Sequence, residues 1–141
     1  MSDNSNRMSM VVFNGTIDKL YPVAIMASGA VMNDMRVDIF LTFWGLMAFR
    51  KGEPYKVTQV SKDYAELGPE MMRVMQEKNV APWYDTLLQA IELGDVHIYA
   101  CAMTADLFGL SKDDFESVIE DIIGVGEFID MAQKAGTTLF I

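Results

Sequence analysis

The feature that most constrains this chain is an alternation. Short apolar runs recur at Met8–Phe13, Val37–Thr42, Asp95–Cys101, Ile119–Ile123 and Thr137–Ile141, and the stretches between them have helical character. A brief apolar run bounded by turn signals suits a strand buried on both faces. Strands that alternate with helices imply a parallel sheet with helices on both sides. The expected fold class is therefore α/β.

The connecting segments carry their own start and stop signals. Asn14-Gly15 closes the first run as a turn, and Thr16 or Asp18 is placed to cap a helix reaching about Asn33, with Pro22 in its first turns. Phe43–Phe49 reads as a short helix closed by Arg50-Lys51-Gly52. Residues 52–65 have no period and read as a loop. Gly68–Lys78 and Pro82–Leu93 read as helices, the first carrying Met71, Met72 and Met75. Those methionines suit either a core-facing stripe or a pliable cover. Ala102–Leu107 is a short helix, and Ser111 with Asp114 forms a capping-box pattern. A last helix follows Gly124-Val125-Gly126 and ends at Gly136.

The 141 residues suffice for one domain, expected over residues 8–141, after a loose polar tail at residues 1–7. Half of the chain is hydrophobic (51%), so a substantial core can form. The net charge of −9 lacks the basic stripe that tracks phosphates, which speaks against nucleic acid and against anionic lipid. The most apolar run, Ile39–Phe49, is about half the ~20 residues of a membrane span. With a polar N-terminus and a single cysteine, a soluble cytoplasmic protein is expected, without a membrane span or a disulfide framework.

The one cysteine, Cys101, is the leading candidate for chemistry. It stands where a buried strand ends and a helix begins. Backbone N–H groups of that helix would lower the thiol pKa, and Thr104 could add a hydroxyl donor. The plain alternative is a packed core cysteine. In parallel sheets, ligands bind at the carboxyl ends of strands. Three loops are expected to share that edge: Asn14-Gly15, Thr42-Phe43-Trp44 and Cys101-Ala102-Met103-Thr104. The only histidine, His97, shares a strand face with Cys101 but lies four residues away, ~13 Å at ~3.3 Å per residue. A Cys–His dyad from that strand is excluded, and His97 is expected to be structural. One Cys and one His do not supply a metal site, and no cofactor is expected. Gly124-Val125-Gly126 lacks the spacing of a phosphate-binding loop.

Several segments taken together resemble a known family. Lys19-Leu20-Tyr21-Pro22 through Ala27-Ser28-Gly29-Ala30, then Ile39-Phe40-Leu41-Thr42-Phe43-Trp44-Gly45-Leu46, then Cys101-Ala102-Met103-Thr104 with Phe108-Gly109, resemble the DsrE/DsrF-like family. The likeness runs from about residue 8 to the end and is strongest to a branch often labelled peroxiredoxin-family. That label finds no support in the residues, which include neither a peroxidatic Pro-x-x-x-Thr-x-x-Cys segment nor a resolving cysteine. The resemblance implies a three-layer α/β/α fold with a mainly parallel five-stranded sheet. It also implies homo-oligomers, commonly trimers or hexamers. Members with the cysteine carry sulfur as a persulfide or thiosulfonate and pass it to a small carrier such as a TusA-like protein. By position that role falls on Cys101, with Asn14, Gly15, Thr42, Phe43, Trp44, Met103 and Thr104 lining its pocket. The alternative is a non-catalytic binding module of the same fold. Nucleotide binding in the strand-end crevice rests on fold analogy alone.

Overall fold

The computed structural model describes residues 6–141. Five strands, β1 (Arg7–Val12), β2 (Arg36–Leu41), β3 (Val96–Cys101), β4 (Ile119–Ile123) and β5 (Thr137–Phe140), form one sheet in the order β4-β3-β2-β1-β5. Every pairing is parallel. The helices are α1 (Ile17–Met32), α2 (Phe43–Met47), α3 (Gly68–Glu77), α4 (Trp83–Leu93), α5 (Ala102–Leu107) and α6 (Val125–Gln133). No helix of the described residues is long and apolar enough to cross a membrane.

The period of two along each strand sorts its side chains onto two faces. Met8, Met10 and Val12 of β1, Val37, Ile39 and Leu41 of β2, and Val96, Ile98 and Ala100 of β3 enter the main core. There they meet Leu20, Val23, Ala24 and Ala27 of α1 and Trp83, Tyr84, Leu87 and Ala90 of α4. Small residues on α1 let it approach closely. Trp83 satisfies its indole N–H on the Pro54 carbonyl at 3.0 Å, so this large ring is buried without a polar penalty. The opposite face packs a smaller cluster, Phe40, Tyr99, Cys101 and Ile123, under Phe128 of α6.

The element boundaries expected from sequence hold to within a few residues, with three differences. β1 begins at Arg7, which pairs with Arg36 and accepts the Gly136 N–H, so the strand takes up the end of the expected tail. Residues 1–5 lie outside the described residues. The Ser111 signal opens only a 3-10 turn, Lys112–Asp114, because the chain turns extended at Phe115 to reach β4. Its capping box is nonetheless complete. The expected loop at 52–65 contains two 3-10 turns, Pro54–Lys56 and part of Lys62–Leu67.

Strand order decides where a ligand crevice can open. β1 to β4 are laid down in one direction, with the intervening helices on the main-core face. After β4 the chain leaves through α6 on the other face and returns to the far edge as β5. The connections leaving β3 and β4 therefore diverge, and the switch point lies between the carboxyl ends of those two strands. Cys101 and Ile123 are register partners at that point.

Candidate functional site

Cys101 is the last residue of β3 and the N-cap of α5. Thr104 stands three residues later, in the first turn of that helix, and its side chain is fully buried. Its Oγ1 accepts the Phe43 backbone N–H at 3.0 Å and lies 3.2 Å from Thr42 Oγ1, with which it shares a hydrogen bond. The ends of β2 and β3 are thus joined through two hydroxyls beside the sulfur. Burial pushes the Cys101 thiol up. Hydrogen bonding to the Thr104 hydroxyl and N–H, the Thr42 hydroxyl and the Met103 N–H outweighs it and brings the thiol below its ordinary value of 9.0.

The thiol does not stand open to solvent. Cys101 is only 7% exposed, because Phe40, Ile123 and Phe128 close over its sheet face. Phe128 comes from α6, far along the chain, so no local pattern could announce this cover. Met103, two residues on, is by contrast 69% exposed.

Phe43 adopts a left-handed backbone with φ of +47°, a conformation uncommon for a bulky non-glycine residue. Strain of this kind collects at sites where the surroundings over-determine the chain. Here the surroundings are the bond from its N–H to Thr104 and a ring contact with Phe13, at 5.9 Å between centroids. Gly45 adds a second constraint. A Cβ there would sit 2.3 Å from the Val12 carbonyl oxygen, while the Gly45 N–H donates to the Phe13 carbonyl at 2.9 Å. The start of α2 is pressed against the end of β1, and only glycine permits it.

Of the predicted site residues, Thr42, Phe43, Met103 and Thr104 gather around Cys101. Asn14 and Gly15 do not. Two strand spacings, about 10 Å, separate β1 from β3. The Asn14-Gly15 loop packs instead on the Trp44 backbone, where a Cβ on Gly15 would meet the Trp44 carbonyl oxygen at 2.3 Å. With Trp44, Arg50, Glu53 and Lys56 it lines a separate groove of about 490 Å³. Trp44 borders both regions.

His97 shares the sheet face of Cys101 at the opposite end of β3. Its Nδ1 lies 2.6 Å from Glu120 and its Nε2 2.6 Å from Asp95, a surface clip between β3 and β4. This agrees with a structural role. Among the described residues no group of three or more His, Cys, Asp or Glu side chains is arranged to hold a metal ion. The methionine segment on α3 is half-buried: Met72 and Met75 roof a cavity of about 350 Å³ above Tyr21 and Trp83. The sequence reading also missed Phe13, Phe108 and Phe140, which extend the aromatic contacts around Phe43 and Trp44. Their signal was available: each falls at or just beyond the carboxyl end of an expected strand or helix.

Comparison with known proteins bears on this geometry. The model of the DsrE/DsrF/DrsH-like family matches residues 4–63 and 56–140. The protein YrkE of Bacillus subtilis (strain 168) is 34% identical over 165 aligned positions, covering 100% of both chains. The sulfur carrier protein DsrE2 of Allochromatium vinosum is 27% identical, covering 96% of this chain and 98% of the relative. Among solved structures, protein MTH1491 from Methanobacterium thermoautotrophicum superposes with a TM-score of 0.58 at 12% identity, covering 94% of this chain and 97% of its own. The ychN protein from E. coli does so with a TM-score of 0.55 at 14% identity, covering 96% and 99%. At these identities the two structures speak for the fold alone.

Proposed function

Because this chain belongs to the DsrE/DsrF/DrsH-like family, we propose that it is a sulfur carrier that holds a sulfane sulfur on Cys101 and hands it to a partner thiol. The observation that carries this reading is the thiol itself. It lies at the switch point of the sheet, and two hydroxyls and two backbone N–H groups favour its thiolate and hold it below its ordinary value despite its burial. A relative of almost the same length bears the name of a sulfur carrier.

In the loading step the Cys101 thiolate attacks the outer sulfur of a donor persulfide. A new S–S bond forms on Cys101, the donor's S–S bond breaks, and its electron pair leaves with the donor as a thiolate. In the unloading step an acceptor thiolate attacks the same outer sulfur, and Cys101 departs as the thiolate it was before. Neither step needs an outside oxidant or reductant, and neither needs a second cysteine. Loading as a thiosulfonate is the variant of this relay that the family resemblance also implies. The proposed acceptor is a small carrier such as a TusA-like protein, the proposed setting is the reducing cytoplasm, and the proposed assembly is a homo-oligomer.

The test is mass spectrometry of the protein after incubation with inorganic polysulfide. The expected result is a mass gain of whole sulfur atoms located on Cys101 and reversed by a thiol. An unmodified Cys101, under conditions that load a free-thiol control, overturns the proposal.

One observation favours a second reading. The burial of Cys101 is what a non-catalytic binding module of this fold would have. That reading expects slow alkylation of the native protein, normal alkylation after denaturation, and full cellular function after Cys101→Ser.

A further inference from the structure

The carboxyl edge of the sheet carries an apolar surface that the monomer's core does not use. Five aromatic rings follow one another along it. Phe140 lies 6.2 Å from Phe13, Phe13 5.9 Å from Phe43, Phe43 6.2 Å from Trp44, and Trp44 6.1 Å from Phe108. Their order follows the strands from β5 through β1 and β2 to the helix after β3. Trp44 is 52% and Phe140 71% exposed, and Leu107 and Met103 of α5 are exposed beside them. A contiguous aromatic and methionine surface has the composition of an interface centre.

The charges on this edge are of one sign. Residues 13–16, 42–48, 101–108 and 123–127 contain no lysine or arginine, and their only charges are the exposed Asp106 and Glu127. Arg50 and Lys56 line, with Glu53, the groove beside Asn14 that meets this edge at Trp44. The chain as a whole carries −9.

We infer that this rim is the docking surface for the sulfur acceptor, a protein whose reactive cysteine stands on an apolar tip flanked by lysine or arginine. The inference rests on the sulfur-carrier reading and adds the partner's chemistry to it. Cys101 is nearly covered, so an acceptor thiol reaches it only when its surroundings seat closely on α5 and α2. Trp44 and Phe108 offer rigid anchoring area, and Met103 can re-pack as the tip enters. Asp106 and Glu127 select the sign of the flanking charges. A second copy of this chain is the poorer occupant. It would bring a second chain of net charge −9, with its own Asp106 and Glu127, against this acidic edge.

The experiment loads the full chain with polysulfide and follows sulfur transfer to three acceptors by mass spectrometry. They are 2-mercaptoethanol, a peptide with one cysteine among leucine and arginine, and the same peptide with glutamate for arginine. Rates to the peptides are expressed relative to 2-mercaptoethanol. The cationic peptide is expected to react on the order of tenfold faster than the anionic one at low salt, with the advantage shrinking as salt is raised. The double variant Asp106→Lys, Glu127→Lys is expected to reverse the order, and Leu107→Ser to slow both peptides. Equal rates to the two peptides, or an order indifferent to the charge reversal, overturn the docking inference and leave sulfur carriage standing. So does Trp44 emission, read in a Trp83→Phe background, that shifts with the protein's own concentration and not with added peptide, because a second copy then holds the rim. Failure to load, or to react with 2-mercaptoethanol, strikes the carrier reading beneath it.

Discussion

The two faces of the sheet are built from the same strands and do different work. On the main-core face, β2 presents Val37, Ile39 and Leu41, all fully buried, under α1 and α4. On the other face the same strand presents Arg36, Asp38 and Phe40. In register across that face run Thr138, Ser9, Asp38 and His97, a polar row from β5 to β3. Further toward the carboxyl ends the face turns apolar, with Val11, Phe40 and Tyr99, and it ends at Cys101. One face is covered by two long helices, and its strands contribute only apolar side chains. The other, among the described residues, is covered by α6 and holds the half-buried Arg36–Asp38 ion pair, the histidine clip and the thiol. Stability and chemistry are divided by the period of two along a strand.

The largest expected effect tests the first half of that division. Ile39→Ala empties a fully buried position at the centre of the main core. It is expected to cost about 2–5 kcal/mol in urea unfolding, the range for such deletions. The pH profile of Cys101 alkylation in the remaining folded protein is expected to stay where it was. A profile that moves with the core would mean that the two faces are not separable.

The layered fold was legible in the sequence, because short apolar runs bounded by turn signals announced buried strands and the strand–helix alternation announced a parallel sheet. Cys101 at a strand end and Thr104 in the following turn could also be read. The strand order could not. Nothing local tells β5 to pair beside β1, yet that choice sends α6 to the second face and fixes the switch point between β3 and β4. For the same reason the sequence expects Asn14 and Gly15 beside Cys101: carboxyl ends share an edge, but the distance along that edge depends on the order. The cover over Cys101, from Phe128, and the left-handed turn at Phe43, held by Thr104 of α5, are tertiary contacts with no local signal.

A smaller effect is expected within the second face. Arg36 donates from Nε and Nη2 to Asp38, at 3.0–3.2 Å, and Asp38 is fully buried while the arginine is partly in solvent. Arg36→Ala leaves that carboxylate buried without its cation. A loss of roughly 2 kcal/mol is expected, below the value for a fully enclosed pair because solvent reaches the Arg36 side of this one. The double variant Arg36→Met, Asp38→Leu should recover most of it, since removing both partners removes the uncompensated charge. If Arg36→Ala alone unfolds like the parent in urea, the polar row is not a structural element and the contrast between the faces loses its meaning.

The smallest change in stability carries the sharpest test of the site. Thr104→Val keeps the shape of the side chain and deletes its hydroxyl. The Phe43 N–H then loses its acceptor, at a cost of about 1–2 kcal/mol. The thiolate loses its leading hydrogen bond as well. Because that bond favours the charged form, the midpoint of the iodoacetamide rate against pH is expected to rise toward the ordinary thiol value of 9.0. Thr104→Ser, which restores the hydroxyl, should bring it back. Linkage fixes the matching sign in stability. A thiol whose folded pKa is depressed contributes stability that is present above the unfolded pKa and lost as pH falls through the folded one. The parent should therefore gain stability over Thr104→Val as pH rises from below the folded thiol pKa to above the unfolded one, and below that window the difference reduces to the hydrogen bonds that the Thr104 hydroxyl makes with Phe43 and Thr42. A midpoint that does not move in Thr104→Val would mean that the two hydroxyls hold α2 against α5 and leave the sulfur untouched. Cys101 would then belong with the packed residues of the face it shares with Phe40.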